Sequence, residues 1–423
     1  MEGTEHRPSG IRRLLAVLAV SATLMAGLAA PASAAAERHH RPWFTSWAQS
    51  QQRLSDTVLR NQSVRMVTHL SQGGRALRVR IQNTFGTTPL TVDAATVARS
   101  DNGPALVGRA HDVTFDGRRA VVVPAGGEVW SDPVRLVTEA QDDVAVSMFV
   151  AGEARPGEHV SAFRRNYLTP AGAGDHTSDP SGAAYTRTVE STYLVSAVDV
   201  ADPRLRGTLV AYGSSVVDGT GSTNCGPGCT ELGTNRRWTD ELARRITAEL
   251  PRHGRFTVAN AGIGGTTSSA ECSSTPDDVD GLDAVSRLER DVLALHGVTG
   301  VLYYYGTNDL AHDCTAEQIV DSYRDVFARL HREGIDVYVT PITPRPGYTD
   351  QQNVHRHGVG GFVRHGGDCT GTCDGVLDFD QVLMDPVRPN SIYPPYDTGD
   401  GIHANIAGQQ AIADYVSLPM ITG

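Results

Sequence analysis

The stretch LVAYGSSVVDG, residues 209–219, runs from an apolar segment straight into a glycine- and serine-rich turn that carries two hydroxyls, Ser214 and Ser215. A serine hydroxyl is a weak nucleophile at neutral pH and needs an adjacent base to take its proton. Far along the chain, Asp400-Gly401-Ile402-His403 supplies one: the imidazole of His403 is the base, and Asp400, three residues earlier, holds the tautomer that leaves the other ring nitrogen free. Asp397 is a rival orienting acid, but its six-residue spacing from His403 fits the role less well. Two further segments offer donors for an oxyanion: NAGIGG at 260–265, through a backbone N–H of its glycine turn, and GTND at 306–309, through the side-chain amide of Asn308. Any of these serines or glycines alone would serve an ordinary turn. Together they are the parts of an acyl-transfer site.

For such distant segments to meet, the elements between them must bring them to one edge. Beyond DPRLRG at 202–207, strand-like runs (TLVAY, FTVANAGI, GVLYYYGTND, IDVYVTPITP) alternate with helical ones. Helices are expected from about Trp238, with Leu242, Ile246 and Leu250 on one face, through Val285, Leu288, Val292 and Leu295, from Thr315 to Glu333, and after His403. Strand and helix in alternation mean parallel strands joined by crossovers, hence an α/β fold with a doubly wound parallel sheet. Ligands bind beyond the carboxyl ends of such strands, which is where all four segments fall. Before this region the grammar differs. ALRVRIQNTF and DVAVSMFV alternate apolar and polar residues, and QGGR, SDNGP and PAGGE punctuate them as turns. A β-sandwich of jelly-roll type is expected over 43–200, and the catalytic α/β domain over 205–423.

Four ordered blocks carry a family resemblance. Gly213-Ser214-Ser215 with Asp218-Gly219, Asn260 to Gly265, Gly306 to Asp309, and Asp400 to His403 resemble the four blocks of the SGNH hydrolase superfamily, the GDSL-type esterases and lipases. The resemblance implies an SGNH (flavodoxin-like) fold, Ser215 as nucleophile, His403 and Asp400 as its partners, and Ser215, Gly265 and Asn308 as oxyanion donors. It extends loosely to the strand-rich front half, through phrases such as QNTFGTTPLTV. The chain departs from the pattern at Ser214, where the family usually has Asp. A serine is a shorter, neutral partner for the turn, leaving Asp218 and a Cys225–Cys229 staple as nearby braces.

Composition bounds the rest. The 423 residues carry a net charge of -11, which disfavours nucleic acid as a partner because phosphate binding needs clustered Lys and Arg. Arg12 and Arg13 precede an apolar run from Leu14 to Ala30, and Ala32-Ser33-Ala34 is a small-residue cleavage site. Residues 1–34 are therefore expected to be a signal peptide and the protein to be secreted, with no stable membrane span and the export route, general or twin-arginine, left open. All six cysteines lie past residue 220, and their spacing points to Cys225–Cys229, Cys272–Cys314 and Cys369–Cys373 disulfides. A zinc site built from the two short pairs is the rival, but their spacing is one residue longer than C-x-x-C. His355, His357 and His365 read as solvated. Asp374, Asp378, Asp380 and Asp385 lack calcium-loop spacing, and Tyr303, Tyr304 and Tyr305 read as packing. The expectation is a monomeric serine esterase without cofactor, acting on a small-molecule or polymeric ester. The alternatives are a carbohydrate deacetylase and a catalytically impaired carbohydrate- or surface-binding protein.

Overall fold

From Trp43 to Ala201 every strand pairing is antiparallel. The computed structural model describes residues 43–101, 103–272 and 282–423; the leader expected at 1–34 lies outside them. Four strands, Trp43–Ala48, Val195–Ala201, Leu77–Gln82 and Glu128–Trp130, form one sheet in that spatial order. Six form the other: Arg187–Val189, Asn166–Leu168, Leu59–His69, Asp143–Ala154, Ala94–Ser100 and Leu106–Val113. The period-two alternation sends Leu77, Val79 and Ile81 from the first sheet and Val64, Met66, Val144, Val146 and Met148 from the second into one shared core. Each such aliphatic side chain, fully buried, contributes on the order of 1.5–3 kcal/mol against exposure.

Pairing becomes parallel at Gly207. Strands Phe256–Gly262, Gly207–Gly213, Val298–Tyr304, Asp336–Val339 and Gly375–Val376 lie side by side in that spatial order, all parallel. Numbered along the chain within this sheet the order is 2-1-3-4-5, so the chain reverses direction across the sheet next to the strand that ends at Gly213. Open α/β sheets bind ligands at this switch point. Tyr303, Tyr304 and Tyr305 are buried in the packing around the third strand, Tyr303 edge-on to Tyr323 and Phe327.

The helices follow local chemistry. Helix Ala316–Arg332 starts at Thr315, whose hydroxyl accepts from Gln318 N while the Gln318 side chain reaches back, a capping box. Helix Trp238–Glu249 buries Trp238, Leu242 and Ile246, with Leu250 just past its end. The region expected as one helix through Val285 and Leu295 differs. It is a short α-helix, Ala284–Leu288, running into a π-helical turn, Glu289–Leu293, and Val285 is exposed. The wider turn shifts the helical phase. Arg287 and Asp291, at i and i+4, face inward together as a wholly buried ion pair of 2.9 Å.

The two regions share polar contacts across their junction. Gln72 Nε2 donates to Thr247 Oγ1 at 2.8 Å, Val258 N to Ser71 Oγ at 2.9 Å, and Arg80 Nη1 to the Arg290 carbonyl at 3.1 Å. The cysteines pair as Cys225–Cys229, Cys272–Cys314 and Cys369–Cys373, with Cα separations of 5.2, 5.7 and 5.4 Å, which takes up the sulfurs that a zinc site would use. Among the described residues no helix is long and apolar enough to cross a membrane. The Cys272–Cys314 bond closes the longest loop, a separation of 42 residues. Replacing both cysteines with serine should lower the unfolding free energy by about 2–5 kcal/mol, because the reduced chain regains loop entropy when unfolded. Urea unfolding of the variant beside wild type checks this; an unchanged midpoint would refute it.

Candidate active site

Ser215 opens a helix of only four residues, Ser215–Asp218, directly after the strand Gly207–Gly213. So short a helix closes only on the carbonyls of Ser214 and Ser215 and needs support from outside. Asn260 does part of this: its Nδ2 donates to the Val217 carbonyl at 2.6 Å and its Oδ1 accepts from Gly262 N at 2.9 Å. Gly262 has to be glycine because a Cβ there would overlap the Asp218 backbone nitrogen. The end of the second strand and the serine turn are thus in backbone contact.

His403 reaches this turn from the far end of the chain. Ser215 Oγ lies 2.9 Å from His403 Nε2, and His403 Nδ1 donates to Asp400 Oδ2 at 2.6 Å. The carboxylate fixes the proton on Nδ1, so Nε2 presents a lone pair to the serine hydroxyl. Asp400 is fixed in turn, its Oδ1 accepting from Ile402 N at 2.8 Å and His403 N at 2.9 Å. Partial burial opposes ionisation of this carboxyl, but the His403 ring N–H and these two backbone N–H groups outweigh it and hold Asp400 down at about 2. Asp397 is not at the imidazole. Its Oδ1 accepts from Gly399 N and Gly401 N, shaping the loop from which Asp400 projects.

The other two blocks arrive at the same edge. Ile263 N donates to the Gly213 carbonyl at 3.1 Å, laying the Gly264–Gly265 turn beside Ser215, and Gly265 has a φ of 82°, a region that favours glycine. A Cβ built on Gly264 would sit 3.8 Å from Ser215 Cβ. Among the described residues, neither the N–H of Ser215 nor that of Gly265 donates to a protein acceptor. Asn308, in the short helix Thr307–Ala311 after the third strand, donates one Nδ2 hydrogen to the Thr266 carbonyl at 2.8 Å, which leaves its second amide hydrogen for another acceptor. A serine held by a base, with uncommitted donors on adjoining turns, is equipped for attack on an acyl carbon.

Several supporting residues were not legible as such in the sequence. Asp309 is buried and accepts from Ser268 N and Ser268 Oγ at 2.8 and 2.6 Å, tying the Asn308 turn to the segment after Gly265; burial pushes its pKa up, against those bonds. Arg287, wholly buried, donates to the carbonyls of Gly213 and Ala261, both at 2.8 Å, and so clamps the ends of the first two strands. The acidic cluster before the Asp400 loop is used in ion pairs, Asp378 with Arg364 and Asp380 with Arg356 and Arg364. His355 and His357 lie on helix Asp350–Arg364 and His365 at its end, where His355 Nδ1 accepts from Ala316 N.

Residues 211–411 match the family model described as GDSL-like Lipase/Acylhydrolase family. Similar solved structures include a carbohydrate acetylesterase from Sinorhizobium meliloti, 15% identical with a TM-score of 0.37, covering 49% of this chain and 94% of that one. The native aryl esterase of M. smegmatis is 16% identical with a TM-score of 0.38, covering 49% of this chain and 95% of that one. Comparison with curated proteins gave no match.

The Asp400 geometry sets a pH dependence. Its folded pKa lies below the ordinary carboxylate value, so the stability it contributes is complete above about 4 and is lost as the pH falls through about 2. In a carboxyl carbon-13 titration, Asp400 should show a midpoint well below 3.8 in wild type. In His403→Ala the midpoint should move upward, because the strongest bond to the ionised form is gone; an unmoved midpoint would sink this assignment.

Proposed function

We propose that the protein, whose residues 211–411 match the GDSL-like lipase/acylhydrolase family model, is a secreted serine esterase that hydrolyses carboxylic esters through an acyl-enzyme. The observation that carries this reading is the hydrogen-bonded series Ser215 Oγ, His403 Nε2, His403 Nδ1 and Asp400 Oδ2 at the switch point of the parallel sheet. Ser215 Oγ attacks the ester carbonyl while its proton passes to His403 Nε2. Asp400 stays ionised and stabilises the imidazolium that forms. Negative charge develops on the carbonyl oxygen, where the N–H groups of Ser215 and Gly265 and the free amide hydrogen of Asn308 receive it. His403 then returns the proton to the leaving alkoxide, and the acyl group remains on Ser215. Water, deprotonated by His403, attacks the acyl-enzyme through a second tetrahedral intermediate, which expels Ser215 and regenerates the site.

Secretion is supported by the disulfides, which persist in oxidising compartments, and by the leader pattern ending at Ala34. The mechanism requires no cofactor and no second copy of the chain.

A fluorophosphonate probe should label wild type once per chain and leave Ser215→Ala unlabelled, with p-nitrophenyl ester turnover lost in parallel. Absence of labelling of the folded wild type would favour a binding protein and overturn the esterase. Asn308→Ala should lower kcat by roughly 10²- to 10³-fold, the usual effect of removing one oxyanion donor. Turnover of acetyl, butyryl and octanoyl esters, beside acetate release from acetylated polysaccharide, separates a short-chain esterase and a carbohydrate deacetylase from a lipase.

A further inference from the structure

One of the groups holding the serine turn comes from the β-sandwich. His159, in the strand Gly157–His159, is 1% exposed, and its Nε2 lies 3.0 Å from Asp218 Oδ1. Asp218 is the last residue of the four-residue helix that Ser215 begins, and it is 4% exposed. On the other side of the ring, Nδ1 lies 2.8 Å from the Ser50 carbonyl oxygen. A carbonyl only accepts, so Nδ1 carries a hydrogen, and Nε2 and Asp218 Oδ1 share one further proton between them. Charge-assisted or neutral, this is a strong bond in a site shielded from water.

What Asp218 touches makes the contact consequential. A Cβ on Gly264 would lie 4.0 Å from Asp218 Oδ2 and 3.8 Å from Ser215 Cβ, so the carboxylate packs against the same glycine turn that faces the serine. Arg237 reinforces the arrangement, donating to the Asp218 carbonyl at 2.7 Å and to the Ala162 carbonyl of the sandwich at 3.0 Å. The turn needs outside support. Ser214, its N-cap, makes no side-chain capping bond, and its buried Oγ finds no hydrogen-bond partner among the described residues.

We propose that His159 is a positioning residue for the hydrolytic reaction: acting through Asp218, it holds the Ser215 turn in register with the Gly264–Gly265 turn, so that the β-sandwich completes the active site of the neighbouring domain. The proposal rests on the esterase reading. It places the effect on the chemical step, because His159 stands behind the turn and meets no substrate.

Two isosteric replacements divide the two bonds of the ring. His159→Asn keeps an amide hydrogen where Nδ1 donates to Ser50 and loses the contact with Asp218; His159→Gln carries its amide nitrogen to the position of Nε2 and keeps that contact. In the full chain, His159→Asn should lower kcat for p-nitrophenyl acetate by about 10- to 100-fold, leave KM within about 3-fold, and slow fluorophosphonate labelling of Ser215 to the same degree. His159→Gln should return kcat to within about 3-fold of wild type. Thermal melts accompany both, and His159→Asn should lose labelling rate at temperatures where it is fully folded. Wild-type kcat in His159→Asn, or equal losses in both variants, would overturn the positioning role while leaving the esterase intact. A wild type that is neither labelled nor active would instead overturn the esterase reading and this proposal with it.

Discussion

The 2.9 Å contact between Ser215 Oγ and His403 Nε2 joins residues 188 positions apart, and it exists only if two short, weakly self-supporting segments are each held in place by the rest of the molecule. One is a four-residue helix, the other a glycine-containing loop running from Asp397 to His403. Neither can nucleate its own structure in water. Their relative position is inherited from the parallel sheet on one side and from buried polar clamps on the other. In the proposed reaction, a displacement of about 1 Å at either segment would cost roughly 10²-fold in rate, so the clamps matter as much as the proposed reacting groups.

The sheet sets the coarse position. Gly213 and Gly262 are paired in the parallel ladder, as are Gly213 and Tyr304, so the ends of the three strands that precede Ser215, Gly265 and Asn308 are level with one another. Arg287 refines this, donating to the carbonyls of Gly213 and Ala261 while Asp291 balances its charge. Burying a guanidinium is costly unless every donor finds a partner. Here Nη1 and Nη2 meet the two strand-end carbonyls, Asp291 Oδ2 and the Tyr305 hydroxyl, while Nε finds no hydrogen-bond partner among the described residues. Arg287 and Asp291, four residues apart, lie on one helical face, which is turned inward here.

The periodic parts of the molecule were legible in the sequence because they depend on local pattern. Alternation in ALRVRIQNTF and DVAVSMFV marks strands, and the stretch from Thr315 to Glu333 reads as a helix. The four blocks were legible because three follow strand ends and the fourth precedes a helix, where backbone geometry forces a recognisable residue choice. What could not be read is pairing across distance. His159, in the strand Gly157–His159, and Asp218, in the helix Ser215–Asp218, are 59 residues apart, and neither has a neighbour whose spacing reveals the other. The helix through Val285 was misjudged because an apolar 3.6-residue period carries no mark of a π turn; the inward pair Arg287 and Asp291 would read as an exposed i, i+4 ion pair in any ordinary helix.

Burial separates the two carboxylates that flank the serine. The Asp400 side chain is 44% exposed, yet two backbone N–H groups and the imidazole fix it, so water at its edge does not loosen its hold on His403. Asp218 is almost fully enclosed; its carboxylate bonds a histidine from the sandwich and lies beside the glycine turn. In the proposed reaction Asp400 faces a changing imidazolium while partly exposed, and its hold on that ring comes from the bonds that fix it. A carboxylate that fixes geometry benefits from enclosure, since a bond shielded from water is stronger and admits fewer alternatives. The unpartnered hydroxyl of Ser214 shows what the turn lacks at its own N-terminus, and the enclosed Asp218–His159 contact at its other end shows where the constraint has been placed.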